Sequence, residues 1–380
     1  MIFFDIIFVL SSFCLIYSYI LYPILLNILS DIALYKNIYS VNNQYNIIHK
    51  LINIIIPVHN EEKVIRQKLE SIAEQNYPKE KIKIYIGLDN CSDNSINEIL
   101  KFNNQLNIKI LESKKRIGKS QILNLLFEQI QDEEAIVVIT DVDIIFTTNT
   151  LIDILYSFDN KFNILTDLKL KNNDKEAIEE NLYLNLENSI KTSEAKLFNI
   201  FQGVSGACYA IKRKYFSPVP DKFLVDDFFI SMQAMLQYPR ATFLENSFVY
   251  EFRPKNLQQE FERKARIAAG NFQNLFYFGS KLLNPFSAIG FTFISHKLFR
   301  WLTPFFLLYI TAYLLINYTF VILGLTLLLS IFILILSIFD SKKIVKIPFY
   351  FLTMQIAVLV GFFRFLKGIK TNIWQPTNRN

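Results

Sequence analysis

The fold of this chain can be inferred from Ile136-Val137-Val138-Ile139-Thr140-Asp141-Val142-Asp143, an apolar run that ends in two carboxylates. Four consecutive β-branched residues predict a fully buried strand, because such residues favour strands. Charged groups seldom end a buried strand unless they are paired or bind a metal. Ligands of an open α/β sheet bind just beyond the carboxyl ends of its strands. Asp141 and Asp143 are therefore candidate ligands of a hard divalent cation, which would hold a diphosphate. The alternative interpretation is a solvated turn.

The composition predicts membrane segments. Hydrophobic residues make up 52% of the 380 residues and charged residues only 19%, which is too apolar for an ordinary soluble protein. The cysteines at positions 14, 91 and 208 are scattered, so they predict no disulfide framework and fit a reducing compartment. The net charge of +6 is spread along the chain, so we expect no nucleic-acid partner. A mild positive balance suits an anionic cytoplasmic leaflet.

The N-terminal region, residues 1–30, predicts an uncleaved transmembrane helix. Residues Ile6 to Leu29 are mostly apolar, and a bilayer is spanned by roughly 20 such residues. A cleaved signal peptide is the alternative, but Asp5 makes the start acidic and no small-residue cleavage site follows. Residues 31–50 are mixed in polarity and are interpreted as a linker.

The C-terminal region, residues 301–365, predicts further transmembrane segments, and residues 366–380 form a basic tail. The apolar runs are Phe305–Tyr318, Phe320–Phe339 and Ile347–Phe363. A basic loop with Lys342, Lys343 and Lys346 favours the cytoplasmic side, which also places the middle of the chain in the cytoplasm. The basic tail also favours the cytoplasmic side, which conflicts with a single crossing by the third run. The alternatives are that this run is re-entrant, that it lies in the interface, or that the tail crosses regardless.

Strands and helices alternate at short spacing in the middle of the chain. The predicted strands are Leu51–Pro57, Ile82–Leu88, Asn107–Leu111, Ala135–Thr140 and Asn163–Leu168. The predicted helices cover 59–75 (with Asn60 as N-cap), 119–131, 149–158 and 174–198. This alternation predicts a doubly wound, mostly parallel α/β sheet. The glycine fingerprint of a dinucleotide site and the Walker phosphate loop are both missing from the sequence, so we reject both sites.

Polar side chains follow three predicted strands at one edge of this sheet. They are Pro57, His59, Asn60 and Glu61, then Asp89 and Asp93, and finally Asp141 and Asp143. This set suits a nucleotide, because Asp89 can accept hydrogen bonds from a base or ribose while the last pair reaches a diphosphate through a metal. The basic loop Lys114–Lys119 adds positive charge at a helix N-terminus. The alternatives are polar turns and a solvated basic face.

Two further features lie beyond the fourth strand. Gly203 and Gly206 flank Ser205 before a short apolar strand, which suggests a backbone that passes close to another group. Asp226 and Asp227 begin a helix in apolar surroundings, where adjacent carboxylates have raised pKa values and one of them can act as a general base. The alternatives are a simple tight turn and an ordinary helix-capping Asp.

Residues 255–300 are predicted to lie at the membrane interface. Gln258 to Phe278 form an amphipathic helix in which aromatic residues mix with Arg263, Lys264 and Arg266, as in helices that lie on a membrane surface. The alternative is that the arginines face a phosphate.

With these motifs in order, residues 1–380 resemble the inverting family 2 glycosyltransferases of GT-A fold, and more closely the membrane-bound bacterial type related to polysaccharide synthases. The matching segments are Ile54–Glu62, Asp89 with Ser92 and Asp93, Gly118-Lys119 with Leu123-Asn124, Thr140–Asp143, Gly203–Gly206 with Ala210 and Arg213, Asp226-Asp227, and Arg266. The family's processive members have Gln-x-x-Arg-Trp around that arginine. Arg263 and Ile267 replace the glutamine and the tryptophan, so the resemblance does not extend to that motif.

The resemblance implies a GT-A catalytic domain at residues 51–254, with one transmembrane helix before it and about three after it. The implied reaction is inverting, Mg²⁺- or Mn²⁺-dependent transfer of a sugar from a nucleotide diphosphate sugar, with a UDP-sugar favoured, to a carbohydrate or lipid-linked acceptor. Asp227 is the implied catalytic base, and Asp141 and Asp143 are the implied metal ligands. The implied nucleotide-sugar residues are Pro57, His59, Asn60, Glu61, Asp89, Lys119, Asp141 and Arg266, and those on the acceptor side are Gly203, Ser205, Gly206 and Asp226.

The implied location is a multi-pass protein of the inner cell membrane with a cytoplasmic catalytic domain in contact with lipids. Two other classes of protein are alternatives. One is a non-catalytic membrane scaffold that keeps a nucleotide-sugar-binding fold, although it would have no need of three convergent carboxylates. The other is a polysaccharide-export component, although the apolar runs largely lack the buried charge that a substrate path usually needs.

Overall fold

The computed structural model of the protein describes residues 2–37, 50–172, 178–251, 257–319 and 342–371. The strands in these ranges are β1 Ile52–Val58, β2 Ile82–Asp89, β3 Asn107–Ser113, β4 Ile136–Thr140, β5 Ile144–Phe146, β6 Leu165–Asn172, β7 Cys208–Lys212 and β8 Ala241–Glu251. The α-helices are α1 Ile2–Ile16, α2 Tyr22–Asn37, α3 Ile65–Ala73, α4 Ser95–Leu100, α5 Lys119–Glu128, α6 Thr150–Ser157, α7 Ile178–Phe198, α8 Asp226–Gln237, α9 Leu257–Phe278, α10 Ala288–Phe293, α11 Phe299–Asn317 and α12 Lys342–Leu366. β5 and β8 are not among the predicted strands.

The strands form one mixed sheet in the order β3-β2-β1-β4-β7-β6-β8-β5. β1 pairs in parallel with β2 and β4, β2 pairs in parallel with β3, and β6 pairs in parallel with β8. β7 runs antiparallel to both of its neighbours, β4 and β6, and β5 runs antiparallel to β8. The sheet is therefore mostly parallel, with β7 and β5 running against the other six strands, and the predicted α/β fold class is confirmed.

The central strands are apolar on both faces, and this is what places helices on both sides of the sheet. Every residue of β1 and of β4 is buried. Alternate side chains enter different cores, since Ile55 and Val137 pack with α5, α8 and α9, whereas Ile54 and Val138 pack with α3, α4 and α6. That alternation is the two-residue period of a strand. The arrangement is doubly wound, as predicted.

The segment after β1 differs from the prediction. The helix begins at Ile65 rather than at residue 59, and Val64 rather than Asn60 is its N-cap. Asn60 has φ +52°, a left-handed conformation that Asn tolerates better than most residues, so the chain turns there before the helix begins. Residues 59–62 are thereby left as a loop at the carboxyl end of β1.

Three helical segments in the described ranges are long and apolar enough to cross a membrane: Ile2–Ile32, Ala288–Asn317 and Pro348–Leu366. The first two each contain a π-helical turn, at Tyr17–Leu21 and Ile294–Leu298. The predicted run Phe320–Phe339 lies outside the described residues.

Two predicted loops are helical instead. Helix α2 continues to Asn37, so residues 31–37 of the predicted linker belong to a helix. The predicted basic loop begins helix α12 at Lys342. Both segments extend an apolar helix whose propagation is favourable once it has begun.

Helix α9 is packed between α12 and the segment that precedes α8. A side chain at Gly361 of α12 would overlap the α9 backbone, because a Cβ there would lie 2.5 Å from the carbonyl oxygen of Ala265. A side chain at Gly270 of α9 would overlap Val225 in the segment before α8. These close approaches bring α9, with Arg263 and Arg266, against the start of α8.

Candidate active site

The two carboxylates Asp141 and Asp143 lie where the sequence places them, in the turn that joins β4 to β5. The turn is closed by a hydrogen bond from the Ile144 N–H to the Asp141 carbonyl, at 3.4 Å. The Asp141 N–H donates to the carbonyl of Ala207 at 3.1 Å, which joins this turn to the start of β7. Both aspartates are partly exposed at the carboxyl edge of the parallel strands.

A buried lysine lies behind this turn. The side chain of Lys68 is fully buried, and its ammonium donates to Thr140 Oγ1 at 2.8 Å and to the Ile144 carbonyl at 2.6 Å. Burial lowers its pKa to about 7, although the charges of Asp143 and Asp141 act in the opposite direction. Lys68 therefore holds both ends of the turn and, when it is protonated, supplies positive charge behind the two carboxylates.

Lys68 is not among the residues predicted from the sequence, although the sequence contains a signal for it. It lies three residues after Ile65 and four before Ile72, on the apolar stripe of α3. A lysine in an apolar stripe is unusual, because lysine is seldom fully buried.

Lys119 joins the turn to the start of helix α8. Its ammonium lies 2.7 Å from Asp141 Oδ1 and 3.8 Å from Asp226 Oδ2. Burial alone would lower the pKa of Lys119, but the charges of Asp141, Asp226 and Asp227 outweigh it and raise the pKa above its ordinary value. The structure thus brings together four of the predicted site residues, which come from three separate motifs.

Asp226 and Asp227 begin α8, as predicted. Asp227 Oδ1 accepts a hydrogen bond of 2.7 Å from the Phe228 N–H. Burial and the neighbouring charge of Asp226 raise the pKa of Asp227 to about 6, against the opposing effect of Lys119. A carboxylate with that pKa is ionised near neutral pH and basic enough to accept a proton.

The glycine loop 203–206 passes against these two aspartates. Gly206 has φ +76°, and a Cβ added there would overlap Asp227 Oδ2. Gly203 also has φ +76°, and a Cβ there would overlap the ring of Phe228. Both conformations favour glycine, and both overlaps exclude a side chain. The group that this backbone approaches, left unidentified in the sequence, is therefore the start of α8.

Ser205 anchors the glycine loop to a buried carboxylate. Its N–H lies 3.1 Å from Asp167 Oδ2 and its hydroxyl 2.9 Å from Asp167 Oδ1, and both groups donate. Asp167 also forms an ion pair of 2.9 Å with Lys191 of α7. Neither Asp167 nor Lys191 is among the predicted site residues.

Asp89 lies at the end of β2 and is fully buried. Its carboxylate accepts hydrogen bonds from the N–H groups of Ile117 at 2.7 Å and Gly118 at 2.9 Å. His59 Nδ1 donates to the Asp89 carbonyl at 2.6 Å. Asp89 therefore fixes the loop that positions Lys119, and its role as a base or ribose ligand remains a prediction.

The other residues predicted after β1 contact the segment after β2. Asn60 Oδ1 accepts from the Ser92 N–H at 2.8 Å, and the Glu61 N–H donates to Ser95 Oγ at 2.9 Å. Pro57 is buried in register with Gly87 of β2. The two strand ends converge, as the sequence predicts for neighbouring parallel strands.

Arg266 on α9 lies within electrostatic reach of the same carboxylates. Its guanidinium donates to the Leu224 carbonyl at 3.3 Å. Burial and the charge of Arg263 lower its pKa, whereas Asp226 and Asp227 act in the opposite direction. Arg263 itself forms ion pairs with three glutamates: Glu180 at 3.3 Å, Glu251 at 3.8 Å and Glu260 at 2.9 Å. Arg263 therefore faces protein carboxylates, and Arg266 faces a backbone carbonyl just before α8.

The donor atoms at Asp141 and Asp143 fit a divalent metal of the Mg²⁺ or Mn²⁺ type. Carboxylate oxygens are the hard ligands such ions prefer, and the ammonium of Lys119 already lies against one of them. Across the described ranges, no group of three or more His, Cys, Asp or Glu side chains could hold a metal. A metal here would take its remaining ligands from phosphate oxygens and water, which is usual for Mg²⁺.

Comparison with known proteins agrees with this geometry. A family model described as glycosyl transferase family 2 matches residues 53–219, and one described as glycosyl transferase family group 2 matches residues 173–354. The chain belongs to glycosyltransferase family 2. The first match of this family 2 chain contains the strand ends, the Asp141–Asp143 turn and the glycine loop, and the second contains Asp226, Asp227 and Arg266.

Two curated relatives match parts of this family 2 chain. The poly(ribitol-phosphate) β-N-acetylglucosaminyltransferase TarS of Staphylococcus aureus is 26% identical over 133 residues, or 34% of this chain and 23% of TarS. The probable glycosyltransferase YdaM of Bacillus subtilis is 35% identical over 82 residues, or 20% of each chain. The matches thus span less than a quarter of each relative.

A solved structure matches the family 2 chain over nearly its whole length. It is the mannosyltransferase PcManGT from Pyrobaculum calidifontis, in complex with GDP-Man and Mn²⁺. The TM-score is 0.72 at 18% identity, and the match covers 96% of this chain and 99% of PcManGT. At this identity the likeness shows the fold, which is GT-A as the motifs imply.

Proposed function

We propose that the protein transfers a sugar from a nucleotide diphosphate sugar to an acceptor hydroxyl, with inversion at the anomeric carbon. The observation that carries the proposal is Lys119, which lies between Asp141 at the end of β4 and Asp226 at the start of α8. This contact unites the predicted diphosphate site and the predicted base in one cluster on a family 2 fold.

The donor would lie across the carboxyl ends of β1, β2 and β4. The loop fixed by Asp89 and the start of α5 would lie against the nucleotide, and Lys119 would turn from Asp141 towards the diphosphate. Asp141 and Asp143 would hold Mg²⁺ or Mn²⁺, which neutralises charge on the departing diphosphate. Arg266 would add a second positive charge on the same side.

Asp227 would serve as the general base. It would take the proton of the acceptor hydroxyl as that oxygen attacks the anomeric carbon, and the bond from this carbon to the diphosphate oxygen would break. A single displacement of this kind inverts the anomeric centre. A positioned base contributes roughly 10²–10⁴-fold to such a step.

The relatives suggest which substrates to test first. PcManGT was solved with GDP-Man and Mn²⁺, and TarS is named for transfer of N-acetylglucosamine to poly(ribitol-phosphate). The family resemblance favours a UDP-sugar, whereas PcManGT binds GDP-Man, so the screen includes both UDP- and GDP-sugars. A polysaccharide and a lipid-linked hydroxyl are the two acceptor classes we propose.

We also propose that the protein is integral to the cell membrane with its catalytic domain in the cytoplasm. The supporting observation is the outer surface of the three candidate spans, which is covered by exposed apolar side chains. Among the most exposed are Ile2, Phe3, Val9, Ile24, Ile28, Leu308, Ile316, Phe349 and Phe363. A continuous apolar surface of this kind marks contact with lipid or another protein.

Nucleotide release by the purified protein in nanodiscs tests the proposal. UDP- and GDP-sugars would be screened with Mn²⁺, with Mg²⁺ and with a chelator, each with and without candidate acceptors. We expect metal-dependent release with one donor, lost in Asp143→Asn and in Asp227→Asn but kept in Asp159→Asn, an exposed control of the same chemistry. NMR of the product would show the inverted anomer. Failure of every donor to bind in calorimetry would contradict the proposal.

A further inference from the structure

Helix α7 carries a buried stripe of charged residues that no predicted motif includes. Glu187, Lys191 and Glu194 are spaced four and three residues apart and share one face of the helix. All three are buried, and Glu194 has no exposed surface. Buried charges persist in proteins when they are paired and hydrogen-bonded, so their partners indicate what the stripe holds in place.

The outer end of the stripe joins the first two candidate membrane spans. Glu187 forms ion pairs with Arg300 at 2.8 Å and with Lys297 at 2.7 Å, and its carboxylate lies 3.2 Å from His296 Nε2. The Arg300 guanidinium also donates to the Ser18 carbonyl at 3.2 Å, within the π-helical turn of the first span. A π-turn changes the regular backbone hydrogen bonding of a helix, and such turns are frequent at functional sites.

The inner end of the stripe joins the same spans to the glycine loop. Glu194 Oε1 accepts from the Tyr22 hydroxyl at 2.9 Å and lies 3.0 Å from His296 Nδ1. Glu194 Oε2 accepts from the Gln202 N–H at 3.0 Å. Gln202 directly precedes Gly203, so this single carboxylate connects both spans to the residue before the loop.

The far side of the glycine loop is held by the same helix. Lys191 pairs with Asp167, which in turn accepts two hydrogen bonds from Ser205. Gly206 then lies against the Asp227 carboxylate. The stripe on α7 therefore fixes the loop at both ends, and the loop borders the proposed base.

We propose that Glu194 is a positioning residue that links the glycine loop to the two membrane helices. The packing of these helices then determines the placement of the loop, and the placement of the loop determines the rate of sugar transfer to the acceptor. The inference rests on the proposed function. Donor binding does not depend on Glu194, because Lys119, Asp141 and Asp89 are held by other partners. The Glu194→Gln variant keeps the shape of the side chain but leaves one acceptor oxygen where the carboxylate has two, so it cannot accept from the Tyr22 hydroxyl, His296 and the Gln202 N–H together.

Amide hydrogen exchange of the full chain in nanodiscs tests the placement of the loop without any substrate. We expect the peptide spanning residues 200–206 to exchange at least about tenfold faster in Glu194→Gln than in wild type, because one acceptor oxygen is then left for three partners and the bond to the Gln202 N–H weakens. The control is Glu245→Gln. Glu245 of β8 forms an ion pair of 2.8 Å with Lys196 of α7 at the protein surface, and the variant neutralises that pair. Equal exchange in Glu194→Gln and wild type would overturn the proposal.

Kinetics test the consequence for transfer. With the donor identified by the nucleotide-release screen, we expect Glu194→Gln to lower acceptor transfer by at least about tenfold while the donor Kd stays within about twofold of wild type. Equal loss of donor binding and transfer, or unchanged transfer, would overturn the positioning role. A wild-type protein that binds no donor would instead refute the proposed function, and hydrogen exchange would still report on the loop.

A second variant covers the case in which Glu194→Gln does not fold. Tyr22→Phe removes one hydrogen bond to Glu194 and leaves its bond to the Gln202 N–H in place. We expect the same changes in the same direction, with transfer reduced by about two- to fivefold and the donor Kd unchanged. Transfer equal to wild type in a folded Tyr22→Phe protein would overturn the link to the first membrane helix.

Discussion

The parallel half of the sheet, β3-β2-β1-β4, and the mixed half, β7-β6-β8-β5, hold their site residues through different kinds of partner. In the parallel half the partners come from neighbouring strand ends, as when Asp89 accepts from the N–H groups of Ile117 and Gly118. Asn60 and Ser92 form a similar short connection. These bonds join consecutive loops of one βα layer.

The mixed half relies on partners far away in the chain. Glu194 contacts Tyr22 and His296, which are 172 and 102 residues away. The glycine loop that these contacts hold is the one that touches Asp227. The residues of the proposed nucleotide site are thus held mainly by loops of one layer, whereas the loop beside the proposed base is held through helices of the candidate membrane spans.

The largest expected effect is the loss of turnover when Asp227, the proposed general base beside the mixed half, is replaced. Asp227→Asn removes the proton acceptor but keeps the shape of the side chain, so we expect turnover to fall by roughly 10²–10⁴-fold with little change in donor affinity. Steady-state transfer and donor calorimetry would measure the two quantities. A parallel loss of donor affinity would show that the halves are not separable. Asp221→Asn, at an exposed position, is the control.

A smaller effect is expected from the loop that borders this base. Gly206→Ala places a methyl group where Asp227 Oδ2 lies, at a residue with φ +76°. Displacing a catalytic group by about 1 Å can cost about 10²-fold, so we expect turnover to fall by about 10–10²-fold. Gly279→Ala is the matched control, because Gly279 has φ +52° and no atom within 4 Å of an added Cβ. If turnover falls equally in both variants, the loss would come from backbone strain and not from displacement of Asp227.

A substitution at Lys68 tests how the Asp141–Asp143 turn of the parallel half is held in place. Lys68→Met leaves the Ile144 carbonyl without this donor and removes the positive charge behind Asp141 and Asp143. Leaving one buried polar group unpaired costs about 1–3 kcal/mol, so we expect a lower melting temperature without metal. Because bound Mn²⁺ would restore positive charge at the turn, Mn²⁺ should raise the melting temperature more than in wild type. Lys63→Met, on the exposed surface, is the control, and a variant as stable as wild type would contradict the role of Lys68.

The smallest expected effect is a shift in pH dependence. Asp227 must be ionised to accept a proton, so the rate should fall as pH drops through its pKa of about 6. The charge of Asp226 helps to raise that pKa, so Asp226→Asn should move this acidic limb to lower pH. Profiles of kcat/KM against pH for both proteins would measure the shift. A limb that stays in place, or moves to higher pH, would contradict the coupling between the two aspartates.

The sequence by itself determined the α/β class, the three strand ends and the order of the motifs. Apart from Asn53 of β1 and Thr140 of β4, both strands are apolar runs followed by polar residues, and this pattern is local, because a strand buried on both faces favours apolar side chains along its whole length. The carboxylates at the ends of those strands could be recognised for the same reason. Asp141 and Asp143 are recognised in this way, whereas Asp226 and Asp227 are recognised as adjacent carboxylates at the start of a helix in apolar surroundings.

The tertiary structure alone decided which of these residues meet and what holds them. Lys119 lies between Asp141 and Asp226 because α5 and α8 pack on one face of the sheet, a contact between distant segments. Asn60 turns the chain instead of capping a helix because its loop bonds to the segment after β2. Glu187 and Glu194 belong to a helix whose sequence predicts only a polar helix, and their buried partner His296 lies on a candidate membrane span. Local pattern reports whether a residue is buried or exposed, but the partner of a buried charge depends on packing between segments far apart in the chain.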